Sequence, residues 1–78
     1  MSYAPGTLGL YTIYYDTRDY PGCFSVRRFI IANGRATPDR NILGTASTLP
    51  YARELIPQGL YNLGRQLDDD PVIVETWI

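Results

Sequence analysis

Residues 8–16 read Leu-Gly-Leu-Tyr-Thr-Ile-Tyr-Tyr-Asp, and this stretch decides the class of fold. It is rich in aromatic and β-branched residues and contains no proline, which is typical of a strand. Side chains alternate between the two faces of a strand. One face is predicted to carry Leu8, Leu10, Thr12 and Tyr14, and the other Tyr11, Ile13 and Tyr15.

A second strand is predicted over residues 23–32, after a turn at Pro21-Gly22 that suits the central positions of a type II turn. Asn33-Gly34 tolerates the positive φ angles of a type I′ turn, so the chain should reverse into a short strand at 35–37 before Pro38 interrupts pairing. Residues 42–46 fit either a continuation strand or the far side of a bulged loop.

The second strand is predicted to turn Phe24, Val26, Arg28 and Ile30 toward a helix, and Cys23, Ser25, Arg27, Phe29 and Ile31 away from it. Adjacent Arg27 and Arg28 therefore point to opposite faces and do not form one basic patch. Glu54 or Glu75 is the expected partner of Arg28.

One short helix is predicted to begin at Thr48, whose hydroxyl can accept a hydrogen bond from an unpaired backbone N–H group. Pro50 is tolerated in the first turn, and Pro57-Gln58-Gly59 should end the helix after about two turns. Its apolar side is expected to be buried against the sheet, because so short a helix is marginal alone. That side consists of Leu49, Ala52, Leu55 and Ile56.

The remaining segments complete one domain over residues 1–78. Leucines recur at helical spacing in 60–67, but Gly59 and Gly64 weaken that pattern, so an irregular segment or a single turn is predicted. Asp68-Asp69-Asp70-Pro71 is a polar turn, and 72–78 is a final strand. The predicted fold is α+β: a mainly antiparallel sheet of three to four strands with one short helix on one face, in the order β-β-(β)-α-β.

Composition removes several classes of chemistry. The chain has 78 residues, a formal net charge of −1, no histidine and one cysteine, and all seven basic residues are arginine. Without lysine there is no Schiff-base catalysis and no phosphate-binding lysine of a Walker A loop. Without histidine the commonest general base and metal ligand is missing. The apolar runs are too short to cross a bilayer, the first residues predict no signal peptide, and a cytoplasmic protein is expected.

Two further features are better explained by structure than by chemistry. Cys23 lacks the base that a catalytic thiol needs, so a space-filling strand cysteine is the favoured interpretation. The three aspartates at 68–70 could suggest a divalent cation site, but adjacent carboxylates cannot all turn toward one ion and the EF-hand spacing is missing. No cofactor, metal site, catalytic residue or small-molecule substrate is predicted.

Several segments combine turn and core residues in a distinctive order. They are Tyr20-Pro21-Gly22, Phe24, 26–29, Leu49, Ala52-Arg53, Ile56-Pro57 and 69–75. In these residues the chain resembles a group of short uncharacterised bacterial proteins. The resemblance spans most of the chain and implies a self-contained domain, with no assigned activity to carry over.

Aromatic residues are the most informative excess, with seven tyrosines, two phenylalanines and one tryptophan. A sheet face left open by the helix would combine aromatic side chains with arginine, which is the composition favoured at interfaces. The competing interpretation is a second small core against the loops. The predicted partner-binding residues are Tyr11, Tyr15, Arg27, Phe29 and Trp77.

The leading hypothesis is a non-catalytic protein-interaction module, acting as an adaptor, an inhibitor or a homodimer through that face or a sheet edge. The alternative is weak binding of single-stranded nucleic acid through the same face, where aromatic side chains could stack on bases. The net charge of −1 argues against this alternative. A small enzyme that works without histidine and lysine is the third hypothesis.

Overall fold

The computed structural model describes residues 8–65 and 70–78, which form six strands and one short helix. This confirms an α+β fold built on an antiparallel sheet, but the sheet is larger than the three to four strands predicted. The elements are β1 (Leu8–Tyr15), β2 (Phe24–Ala32), β3 (Arg35–Pro38), β4 (Gly44–Ala46), α1 (Leu49–Glu54), β5 (Asn62–Gly64) and β6 (Ile73–Trp77).

All of the strands belong to one antiparallel sheet with the order β3-β2-β1-β6-β5, and β4 also pairs with β2. Residues 24–31 of β2 pair with β1 on one side. The strands β3 and β4 therefore share its other side, β4 along 24–26 and β3 along 29–32. Because the chain's last strand returns beside its first, β1 lies in the middle of the sheet.

The turn between β2 and β3 has the predicted geometry. Asn33 and Gly34 have φ angles of 54° and 74°, and a type I′ turn requires positive values at both central positions. Gly22 also has a positive φ, of 72°, as the second central residue of a type II turn does. These two turns fix where β2 begins and ends.

The segment after the helix differs from its prediction, because residues 62–64 form the edge strand β5. Asn62 pairs with Trp77 and Gly64 with Thr76, while Tyr61 and Ile78 exchange backbone hydrogen bonds of 2.8 and 3.0 Å. Pairing with β6 satisfies backbone groups that an irregular segment would leave to solvent, and this outweighs local propensity. Residues 66–69 of the predicted segments lie outside the described residues.

Helix α1 begins as predicted and packs on one side of the sheet. The Thr48 hydroxyl accepts a hydrogen bond from the backbone N–H of Tyr51 at 3.3 Å. The buried core joins the sheet to the helix through Ile13, Val26, Ala52 and Ile56. Partly buried residues that pack against it are Tyr11, Phe24, Ala46, Leu49, Leu60, Val74 and Trp77.

The prediction that Leu55 is buried with its neighbours is wrong. Leu55 is 36% exposed, while the next residue, Ile56, is 7% exposed. The helix ends at Glu54 with Leu55 as its C-cap, so the chain turns there and directs Ile56 into the core. Leu55 instead lies over Gly44, where an added Cβ would meet its Cδ1 at 3.2 Å.

We expect Ile56→Ala to cost about 2–4 kcal/mol of unfolding free energy, because it removes apolar volume from a close-packed core. The neighbouring Leu55→Ala should cost only about 1 kcal/mol, because much of that side chain already meets water. Urea unfolding followed by Trp77 fluorescence compares the two variants directly. Equal losses would place Leu55 in the core after all.

The register between β1 and β2 decides which side chains share a face. Tyr11 lies opposite Arg28, Ile13 opposite Val26, and Tyr15 opposite Phe24. Side chains directly opposite each other on adjacent strands project from the same face. The three β1 residues therefore lie on the helix side, and the prediction that they share the other face with Arg27 and Phe29 is wrong.

The same register builds the opposite side, which we call the open face. There Leu10 lies opposite Phe29, Thr12 opposite Arg27, and Tyr14 opposite Ser25. Within the described residues, no helix has the length and apolarity that crossing a bilayer requires.

Candidate interaction surface on the open face

The open face carries an apolar groove of about 360 Å³. The side chains along it come from β1, β2, β3, β5 and β6, so the groove crosses most of the sheet. Its lining includes Leu10, Thr12, Tyr14, Phe29, Leu63 and Ile73.

This groove is unusual for a sheet face without a helix over it. An antiparallel sheet with one solvated face normally alternates apolar and polar residues, with the polar ones outside. Here Leu10 and Phe29 form a direct cross-strand pair on that side, and exposed Leu63 lies at its β5 end. The face has the apolar character of a surface that is covered by another molecule.

A smaller and more polar concavity of about 180 Å³ continues the groove at one end. Tyr14 lines both depressions, which makes them neighbours. Arg27 and Ser25 of β2 line the polar end together with Asp19 of the loop after β1. The candidate surface therefore combines an apolar groove with a polar end.

Arg27 is held in place by the backbone of the segment between β3 and β4. Its Nη1 donates to the carbonyl oxygen of Asp39 at 2.5 Å and to that of Arg40 at 3.3 Å. Both acceptors are neutral carbonyl groups, so they orient the guanidinium without cancelling its charge.

Two residues with hydroxyl groups lie along this surface. Thr12 is 4% exposed and Ser25 is 3% exposed, and they line the groove and the polar end respectively. A hydroxyl group can both donate and accept a hydrogen bond, so these side chains can serve a polar group that enters the depressions.

The five residues predicted to bind a partner do not come together. Tyr11 and Trp77 pack against the core on the helix side, directly opposite each other on β1 and β6. Tyr15 is also on the helix side, where its ring centroid lies 4.7 Å from that of Phe24. Arg27 and Phe29 are on the open face. The predicted set is thus divided between the two faces of the sheet.

The side of β1 that lines the groove was not predicted as the open one. Alternation along β1 places Leu10 and Tyr14 on one face, but it does not show which face the helix leaves open. The sequence indicates the positions of Leu63 and Ile73 in the groove less clearly. These residues reach the open face because β6 pairs with β1 and β5 pairs with β6. A bulge where β6 meets β1 pairs Ile73 with Tyr14, a position that simple alternation would give to residue 74.

Glu75 is the centre of a polar cluster on the helix side. Arg53 of α1 donates to both of its carboxylate oxygens, from Nε to Oε1 at 2.6 Å and from Nη2 to Oε2 at 3.1 Å. Asn62 of β5 donates to Oε2 at 2.8 Å and Trp77 to Oε1 at 3.3 Å. The expected pairing of Glu75 with Arg28 is not found, because Arg53 occupies this carboxylate.

The hydrogen bonds of the cluster keep its charges in place. The bonds from Arg53, with smaller contributions from Asn62 and Trp77, lower the pKa of Glu75 below its usual value, although burial opposes this. The same pair raises the pKa of Arg53. Since both carboxylate oxygens accept hydrogen bonds, Glu75 is poorly placed to act as a base and instead ties α1, β5 and β6 together.

The remaining candidate groups are Cys23 and the aspartate of the turn before β6. Cys23 is half-buried, and its thiol lies 3.6 Å from the carbonyl oxygen of Tyr20. Within residues 8–65 and 70–78, no group of three or more Cys, Asp or Glu side chains is arranged to hold a metal ion. Asp70 accepts a hydrogen bond from the backbone N–H of Val72 at 3.1 Å and so serves the turn before β6.

No protein-family model matches the chain, and no curated protein or solved structure matches it significantly. The resemblance to short bacterial proteins stays a prediction. The open face is therefore the main observation that bears on function.

Proposed function

We propose that the protein is a non-catalytic interaction domain that binds a protein partner, or a second copy of itself, through the open face of its sheet. The observation that supports this most strongly is the apolar groove of about 360 Å³ on a face without a helix over it. The unpaired Cys23 is compatible with a reducing compartment, so a cytoplasmic location belongs to the same proposal.

The composition of the groove fits protein recognition. Aromatic side chains are enriched in the centre of protein interfaces, where they lose most of their contact with water. Phe29 and Tyr14 supply such side chains on neighbouring strands, and Leu10 and Leu63 supply aliphatic surface beside them. A partner's apolar side chain placed here would gain burial without disturbing the core, which lies on the other side of the sheet.

Nucleic acid is supported less well by the same surface. Binding to a phosphate backbone depends on several cations acting together, and its strength falls steeply with salt. The described strands turn one cation, Arg27, to the open face. Nucleic-acid bases that stack on Tyr14 or Phe29 would thus gain little additional affinity from attraction between cations and phosphates.

We expect Phe29→Ser with Leu63→Ser to abolish binding while the domain stays folded, because both side chains line the groove and neither belongs to the buried core. The matched control is Tyr15→Ser with Tyr51→Ser, which removes two exposed aromatic side chains on the helix side. Circular dichroism checks folding of both variants.

Binding is measured in two ways. Sedimentation over a range of concentrations detects self-association, and selection from a displayed peptide library detects recognition of another protein. Dependence of either signal on the groove pair, but not on the control pair, supports the proposal. A monomeric protein that selects no peptide, or a signal lost only in the control pair, would refute it.

A further inference from the structure

We propose that the open face selects acidic partner segments, placing a bulky apolar side chain in the groove and a neighbouring aspartate or glutamate carboxylate on Arg27. This inference rests on the proposed function and names the chemistry of its partner. It follows from the distribution of charge over the two sides of the sheet.

Among the described strands, Arg27 is the one charged residue that the register places on the open face. Arg28 and Glu75 lie opposite Tyr11 and Ile13, on the helix side. Arg35 pairs with Ala32, also on that side. A partner lying across the described strands of the open face therefore meets a mainly apolar surface on which the charged strand residue is Arg27.

The charge lies at the border of the groove. Arg27 is directly opposite Thr12, which lines the groove, and two positions before Phe29, which lines it too. Residues two apart on a strand lie on the same face about 7 Å apart. A carboxylate on a residue next to the inserted apolar side chain can span this distance.

Hydrogen bonds to the backbone already orient the guanidinium group of Arg27. Its Nη1 is fixed by the two carbonyl oxygens of Asp39 and Arg40, and no carboxylate of the described residues forms an ion pair with it. An arginine presents five N–H donors in a planar arrangement that matches a carboxylate. Because the side chain is already anchored, less conformational freedom is lost when a partner binds.

The side-chain hydroxyls of Thr12 and Ser25 add polar groups beside the same cation. Thr12 and Ser25 flank Arg27, one across the strand pair and one along β2. Each lines one of the two depressions. Hydroxyl groups can donate to a carboxylate or to a peptide carbonyl, so they suit the polar part of the same partner.

Asp19 is the group that opposes an acidic partner. It lines the polar end of the surface together with Arg27, from an exposed position in the loop after β1. Its carboxylate should weaken binding of acidic segments by repulsion without contributing to the groove. Asp19→Asn is therefore expected to strengthen binding of an acidic peptide severalfold.

The test uses peptides selected on the full chain from an unbiased displayed library. Each selected peptide is synthesised twice, once as selected and once with its aspartate and glutamate residues changed to asparagine and glutamine. Fluorescence anisotropy then measures the affinity of both forms for the native chain, Arg27→Gln, Arg27→Lys and Arg35→Gln. The last variant removes an exposed arginine from the helix side and is the matched control.

We expect the acidic form to bind the native chain about tenfold more tightly than its neutral counterpart. This preference should disappear in Arg27→Gln, persist in part in Arg27→Lys, remain unchanged in Arg35→Gln, and shrink as the salt concentration rises. Native-like circular dichroism of each variant excludes unfolding as the cause.

Two outcomes overturn the inference and differ from failure of the proposed function. Selected peptides that depend on Phe29 and Leu63 but bind equally well in acidic and neutral forms would retain the interaction domain and remove its acidic preference. An acidic preference that survives in Arg27→Gln would place the recognising cation elsewhere. Selection of no peptide, combined with a monomeric chain, would remove both the inference and the function on which it rests.

Discussion

Replacing Ile13 by alanine is expected to unfold most of the protein. Ile13 is fully buried in the central strand, between Val26 on one side and Glu75 on the other. Removing such a side chain costs about 2–5 kcal/mol, because the lost burial is compounded by the cavity left behind. A domain of this size has a total stability of about 3–5 kcal/mol, so little remains.

Far-UV circular dichroism and urea titration of Ile13→Ala measure this loss. The matched control is Leu43→Ala, which shortens an exposed aliphatic side chain just before β4 and should change the unfolding free energy by less than about 1 kcal/mol. A folded Ile13→Ala variant with the native urea midpoint would show that the stability of the protein lies outside this core.

The second large effect is expected from Glu75→Ala, which should cost about 2 kcal/mol. The change leaves the side-chain donors of Asn62 and Trp77 without their acceptor and cuts the link from α1 to the sheet. The loss stays below that of a fully buried ion pair, because Arg53 is 44% exposed and can be hydrated. Glu54→Ala, an exposed carboxylate on the same helix, is the matched control and should have little effect.

The same cluster predicts how stability depends on pH. The pKa of Glu75 is lower in the folded chain than its ordinary value of 4.5, so the folded state favours the ionised form. This contribution is fully present above the ordinary value and is lost as the pH falls through the lowered pKa. Urea midpoints measured from neutral pH down to pH ~3 should fall more steeply for the native chain than for Glu75→Gln. Parallel curves would show that the carboxylate contributes nothing through its charge.

Local sequence determined the elements whose signals lie within a few neighbouring residues. Strands β1 and β2 follow from alternating aromatic and β-branched residues, and the turn between β2 and β3 from Asn33-Gly34, whose backbone tolerates positive φ. The start of α1 follows from the Thr48 hydroxyl and the proline that comes after it. Each of these depends on conformational preferences and hydrogen bonds that the segment supplies itself.

The tertiary structure alone decided which surfaces these elements form together. Alternation sorts the residues of one strand into two sets, but the register between strands decides which sets combine, and a shift of one residue exchanges them. Because Tyr11 lies opposite Arg28 on β2 and opposite Trp77 on β6, these residues project from the helix side of the sheet. Tyr15 lies four positions after Tyr11 on the same strand and is on the same side.

The strand β5 and the burial of Glu75 depended on the tertiary structure for a related reason. The short segment at 62–64 has no strand signal of its own and becomes a strand by pairing with β6. Glu75 is stable in its buried position because α1 and β5 bring donors from distant parts of the sequence. Sequence alone determined the local elements of this protein, whereas long-range pairing decided its sheet faces, its polar cluster and its open groove, because their energies come from contacts between residues far apart in the chain.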